Sequence, residues 1–446
     1  MNLDPSTPHR LIREASVNPR LPFIAILIAG LLISTDGAAT AQADAASTPI
    51  LPPTITWNGA SRQLIAGDDD PWITPAERSG LTATPTYEET FAWLDRLVGA
   101  SPQLRSISIG TSGENRDIRM VVASAEGAAT AAALRANGRP TLLAHAGIHS
   151  GEIDGKDAGL MLLRDLTAGR RLAGLLDKVN LLFIPILSVD GHERFGPHNR
   201  INQRGPIEMG WRTNRRNLNL NRDFAKLETA EVRALAATVE EWQPDLYLDL
   251  HVTDGQDYQY DITFGYNGPH AWSPHIAGWL DSAFTPAVTH DLEAMGHIPG
   301  PLTFAVNDRD MQDGTVEWTA GPRFSTGWAD ARHLPAVLVE NHSLKPYPQR
   351  VLGTYVLLES TLRVLGRDCE ALRAAVRLDR ERQPDRIALG WKSDPEAEAQ
   401  TIAFKGIRSE TYLSPISGTL EVRWTGEAVT EEIPLVVRDQ PTTTVR

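Results

Sequence analysis

Cysteine is almost missing from this chain: Cys369 stands alone among 446 residues. No intrachain disulfide can form, so stability must come from a core or a bound metal. Cys369 sits in GRDCEALRAA, a helical pattern that reads as buried filler. A basic excess is also missing. Formal net charge is −13, which argues against nucleic acid as a partner, because no basic surface is available to displace phosphate counterions. The apolar run LPFIAILIAGLLI at 21–33 has 13 residues, short of the ~20 that span a bilayer. GTSG at 110–113 lacks the spacing of a hydrolase nucleophile elbow, which argues against a serine mechanism.

What is present begins with an export pattern. Arg10, Arg13 and Arg20 precede the apolar run, and Ala41-Gln42-Ala43 offers a cleavage site. Residues 1–43 are therefore read as a signal peptide of a periplasmic or secreted protein, with no stable membrane insertion after its removal. An uncleaved anchor is the alternative. Hydrophobic residues at 41% and charged residues at 22% imply a globular chain with a real core.

Residues 44–85, rich in Ala, Thr, Pro and Asp, read as a linker or lead-in. From Thr86 the pattern is regular. YEETFAWLDRLV (87–98) has helical spacing, and SISIG (106–110) and IRMVVAS (118–124) read as strands around a turn. TLLAHAG (141–147), LLFIPILS (181–188), LYLDLH (246–251) and AVLVEN (336–341) read as buried strands, Pro185 suggesting an edge or a bulge. Helices are expected over 158–166, 229–243 and 350–366. Strands alternating with helices imply an α/β fold with a largely parallel sheet over 86–366. Residues 367–446 read as a small β-rich extension that ends without a clear closing element.

Polar residues interrupt these strands at their ends. His149 and Glu152 follow TLLAHAG, His251 ends LYLDLH, and Glu340 lies at the end of AVLVEN. Open α/β sheets bind ligands at the carboxyl ends of their strands. His149, Glu152 and His251 form a His-Glu-His set suited to one catalytic Zn²⁺ with an open position, and Glu340 is placed as the proton-transferring carboxylate. A lone HxxE is weak; the combination is strong. Between these ligands, GWRTNRRNLNLNRDF (210–224) concentrates Arg and Asn, which suits an anion site. Asp249 alternates with His251 and could orient it. His145 reads as a core histidine, His192 and His198 as solvated loop residues, and His342 as facing the same way as Glu340.

The ordered set HSGE, SVDG, WRTNR, NLNLNRDF, LDLH and LVEN resembles the zinc carboxypeptidases of the carboxypeptidase A type over about 86–366. The resemblance implies a mixed, mostly parallel eight-stranded sheet flanked by helices. It implies zinc on His149, Glu152 and His251, Glu340 as general base and acid, and Arg212 as the oxyanion stabiliser. Asn221 and Arg222 would grip the C-terminal carboxylate of a peptide substrate. There are departures. Val252-Thr253 follow the distant histidine where the family often has Ser-Tyr, and no Tyr occurs in 314–330 where the family carries a mobile one. The family's usual specificity position falls at Thr326. The expected activity is therefore an exported metallocarboxypeptidase. The rivals are a zinc amidase or deacylase acting on cell-wall peptides or acylated amino acids, and a non-catalytic binding protein.

Overall fold

Alternation of apolar runs with amphipathic helices sets the architecture. The computed structural model describes residues 51–169, 171–394 and 400–445; the expected signal peptide lies outside them. The strands are β1 (Leu104–Thr111), β2 (Asp117–Ala123), β3 (Thr141–Ala146), β4 (Asn180–Ile184), β5 (Leu246–Val252), β6 (Ile262–Gly265), β7 (Pro299–Pro301), β8 (Thr303–Ala305), β9 (Thr315–Glu317), β10 (Ala336–Asn341), β11 (Ile387–Lys392), β12 (Gln400–Leu413), β13 (Leu420–Val436) and β14 (Gln440–Val445). Eight of them form one mixed sheet in the order β1-β2-β4-β3-β5-β10-β6-β7. Its centre, β4-β3-β5-β10, is parallel. Strands β3, β4 and β5 are buried along their whole length. That burial explains why these strands are mostly Leu, Ile, Val, Ala and aromatic residues, because both faces are covered by helices.

The helix Asp154–Leu166 starts directly behind Glu152 and is buried throughout. Arg350 and Asp154, both fully buried, pair at 2.8 Å and join it to the long helix Tyr347–Glu381. That helix continues through Gly366, so the extension begins after a shared helix rather than at a break in the chain. The β-rich character expected after 366 is present: β12 and β13 form a long hairpin, and β11 pairs with β14. The hairpin also joins β9 and β8 in a four-stranded sheet.

Two local readings need correction. β4 ends at Ile184 and lies inside the sheet, so Pro185 terminates an interior strand rather than marking an edge. Residues 51–85 are not a loose linker. Trp57 Nε1 donates to the Gly296 carbonyl at 2.8 Å, and Glu77 both caps the helix Pro75–Arg78 and pairs with buried Arg164 at 2.7 Å. Within this segment Asp68 and Asp69 remain exposed to solvent, so the acidic run is a solvated turn on an otherwise anchored stretch.

Candidate active site

β3, β5 and β10 are adjacent and parallel, so their carboxyl ends open at one place. His149 and Glu152 lie in the turn after β3, held by a Glu152 N–H to His149 carbonyl bond of 2.9 Å. His251 is on β5, in register with Glu340 on β10. One ligand atom from each of His149, Glu152 and His251 lies within 4.8 Å of the others.

The hydrogen bonds orient both imidazoles. Asn219 Oδ1 accepts from the Asn221 N–H and lies 2.9 Å from His149 Nε2. An amide oxygen only accepts, so Nε2 carries the proton and Nδ1 keeps its lone pair. Nδ1 is buried, has no hydrogen-bond partner among the described residues, and lies 3.1 Å from Glu152 Oε1. For His251, Nε2 lies 2.9 Å from Asp249 Oδ1 and Nδ1 lies 2.8 Å from Glu152 Oε2. A buried lone pair facing a carboxylate oxygen is an arrangement that a cation relieves. This donor set fits zinc: two Nδ1 atoms and one carboxylate, with both outer nitrogens anchored.

Charge balance around Glu152 is dense. Arg200 and Arg212 each donate to its Oε1, at 2.8 and 2.7 Å, and the Val252 N–H donates to Oε2 at 3.2 Å. Burial would raise the Glu152 pKa, but His149 and Arg200 outweigh it and hold the carboxyl well below the usual range. Burial likewise opposes protonation of His251, yet Asp249 and Glu152 hold it well above the ordinary histidine value. Glu340 is pushed the other way, up to about 8, by burial and then by the negative charges of Glu152 and Asp254, against the opposing pull of His251.

All seven residues singled out as site candidates line one cleft of about 510 Å³: His149, Glu152, Arg212, Asn221, Arg222, His251 and Glu340. Their settings differ. The Asn221 amide is engaged within the protein: Oδ1 accepts from the Ser325 N–H at 3.0 Å, and Nδ2 lies 3.1 Å from His251 Nε2. Arg222 stacks on Phe324 at 4.4 Å and donates only to the Asn221 carbonyl, with no carboxylate partner among the described residues. Burial, with Arg212 and Arg323 nearby, lowers its pKa. Thr326 is buried and does not line the cleft. Trp318 and Phe324 line it where the family's Tyr was sought, their rings 4.9 Å apart.

The sequence offered no sign of Arg200, which fastens Glu152 to the segment at the end of β5 by donating to the Val252 and Thr253 carbonyls and to the Asp254 carboxylate. Asn219 was visible only as one Asn among several. His192 is not solvated: it is fully buried, with Nδ1 2.7 Å from Glu193 and Nε2 3.2 Å from Lys156. His145 is a core residue, 2.6 Å from the Tyr247 hydroxyl.

The sequence model of the zinc carboxypeptidase family matches residues 90–272. That interval contains His149, Glu152, Arg212, Asn221, Arg222 and His251, and stops before Glu340. Among solved structures, the chain is similar to a metallo-carboxypeptidase from Burkholderia cenocepacia at 16% identity, covering 63% of this chain and 69% of that one, with a TM-score of 0.45. A metallo-carboxypeptidase from Pseudomonas aeruginosa aligns at 16% identity over 65% and 70%, TM-score 0.47. The carboxypeptidase A of Helicoverpa armigera aligns at 17% over 72% and 80%, TM-score 0.46. No curated protein sequence matches the chain.

Proposed function

We infer, from the premise that residues 90–272 are those of a zinc carboxypeptidase, that this zinc peptide hydrolase is an exported metallocarboxypeptidase removing the C-terminal residue of peptides. One observation carries the reading: the His149–Glu152–His251 cluster, the Glu340 carboxyl and an Arg222 with no carboxylate partner among the described residues line a single cleft. His149, Glu152 and His251 would hold one zinc ion, which when bound polarises a carbonyl and acidifies water.

The remaining work falls to the chain itself. Arg222 receives the free carboxylate of the substrate through the two-pronged geometry that guanidinium offers carboxylate, while Asn221, its own amide engaged by Ser325 and His251, positions that corner of the cleft. A cation left unpaired in a half-buried cleft favours such a ligand. Glu340 takes the proton from the attacking water and delivers it to the leaving amine. Burial and the neighbouring carboxylates push its pKa up to about 8, into the range where a carboxyl exchanges protons near neutrality. Arg212, which donates to Glu152 Oε1 and lines the cleft, would stabilise the oxygen on which charge develops.

The test compares a peptide with a free C-terminus and its carboxamide, with wild type and Arg222→Ala. The reading expects strong preference for the free acid and its loss in Arg222→Ala. Equal turnover of both peptides by the wild type would instead favour the amidase.

A further inference from the structure

We propose that the C-terminal hairpin β12–β13 completes the substrate cleft, forming a subsite for an aromatic or bulky apolar side chain of the residue just upstream of the scissile bond. The proposal rests on the metallocarboxypeptidase reading, which supplies the direction of the peptide.

That direction follows from β10. Leu338, Glu340 and His342 all line the cleft, alternate residues on one face, spaced roughly 7 Å apart along the strand. Leu338 is in register with Asp249, which binds the Ser325 hydroxyl, and the Ser325 N–H donates to Asn221. Arg222 with its Phe324 stack therefore lies towards Leu338. His342 lies on the other side of Glu340, away from the carboxylate anchor. A peptide held at Arg222 by its terminus and cut beside Glu340 must run its upstream residues towards His342.

The hairpin builds that end. The His342 ring is 5.2 Å from Tyr258, and Tyr258 is 4.8 Å edge-on to Phe404 of β12. Tyr260 meets Phe404 at 5.4 Å. Trp424 of β13 also lines the cleft. It belongs to the same end: two residues further on, Gly426 abuts Pro53, while Arg204 reaches Pro52 and donates its N–H to the Ser343 carbonyl. The attachment is specific. Gln259 donates through its side chain to the carbonyls of Gly406 and Val429, at 3.1 and 2.7 Å, and the Lys405 N–H donates to the Tyr260 hydroxyl at 3.2 Å. These bonds fasten the segment after β5 to the hairpin, so the aromatic wall is rigidly placed.

Its chemistry is apolar with one polar point. Phe404, Tyr258 and Tyr260 are buried and Trp424 is half-buried. His342 is 2% exposed, and neither ring nitrogen has a hydrogen-bond partner among the described residues. A wall of ring faces and edges gains most from a large apolar or aromatic side chain, through area and preferred ring geometry.

The experiment uses the full chain, zinc-loaded, with acetyl-Phe-Leu and acetyl-Ala-Leu, each as free acid and as carboxamide. The wild type should prefer Phe over Ala in kcat/KM. Trp424→Ala should lower that ratio about tenfold, the scale of one lost ring contact, Trp424→Phe should restore most of it, and Phe404→Leu should lower it as well. A ratio unchanged in both Trp424→Ala and Phe404→Leu overturns the subsite. Carboxamides cleaved as fast as acids would sink the C-terminal reading instead, while the Phe-to-Ala ratio still decides the hairpin's part.

Discussion

Glu340 shows how much one position can demand of its surroundings. It lies in a strand, and its Oε2 is buried without a hydrogen-bond partner among the described residues, while burial and neighbouring carboxylates push its pKa up to about 8. A structural carboxylate would be paired; a buried carboxyl of this kind fits the proton-transfer role proposed for Glu340. Glu340→Gln should therefore lower kcat by at least about 10²–10⁴-fold while retaining zinc, as measured by steady-state assay and metal analysis of the same preparation. Full activity in that variant would remove Glu340 from the mechanism. Asn219 is the quieter case. It fixes the proton on His149 Nε2, so Asn219→Ala should weaken zinc affinity by about 10–100-fold in competition with a chelator. Unchanged affinity would mean that the turn alone orients His149. Neither Asn219 nor Arg200 could be picked out of the sequence, because a side chain that orients a ligand carries no motif of its own.

At the level of elements, the strands bearing the site were legible. TLLAHAG, LYLDLH and AVLVEN appear as β3, β5 and β10 within a residue or two of the apolar runs. Buried parallel strands must be apolar throughout, so a polar residue at the end of one stands out. Pro185 and His192 misled for a shared reason: their surroundings are set by remote segments, β2 and β3 for one and Lys156 for the other. The helix Asp154–Leu166 shows the same dependence. A Cβ at Gly159 would come 2.0 Å from the Phe183 ring on β4. Gly159→Ala should therefore destabilise the protein by roughly 1–3 kcal/mol through overpacking, despite alanine's better helix propensity. Denaturant unfolding would check this; a stabilised variant would show that the helix can lift from the sheet at no cost.

For the whole molecule, three buried histidines tie stability to pH: burial lowers His145 to about 4, and it acts on two others in the same way. Burial lowers His192 to about 4, with Lys156 adding to the effect, and lowers His342 to about 3. Their unfolded values lie near 6.5. Between these limits the unfolded chain binds protons that the folded chain refuses. The stability they contribute is thus complete above pH ~6.5 and drains away as the pH falls towards ~4. Thermal unfolding should show that loss, and His192→Gln should make it shallower; an equally steep profile would place the loss elsewhere. Zinc acts in the opposite sense. Binding to the folded cluster alone should raise the melting temperature, and a chelator should reverse it. Mass analysis of protein recovered from the exporting cell should find an N-terminus at Asp44 if residues 1–43 are removed.

What the sequence determined by itself was the kind of chemistry and its address: two imidazoles and two carboxylates at the ends of apolar strands, an Arg- and Asn-rich stretch between them, and no disulfide to hold the fold. Those features are local, since burial writes itself into each strand separately. Only the tertiary structure decided that β3, β5 and β10 are neighbours, that Asn219 and Asp249 fix the two imidazoles, and that Phe404 and Trp424 reach back to wall the cleft. Strand order and the docking of a hairpin depend on contacts between residues far apart in the sequence, and no window along the chain encodes them.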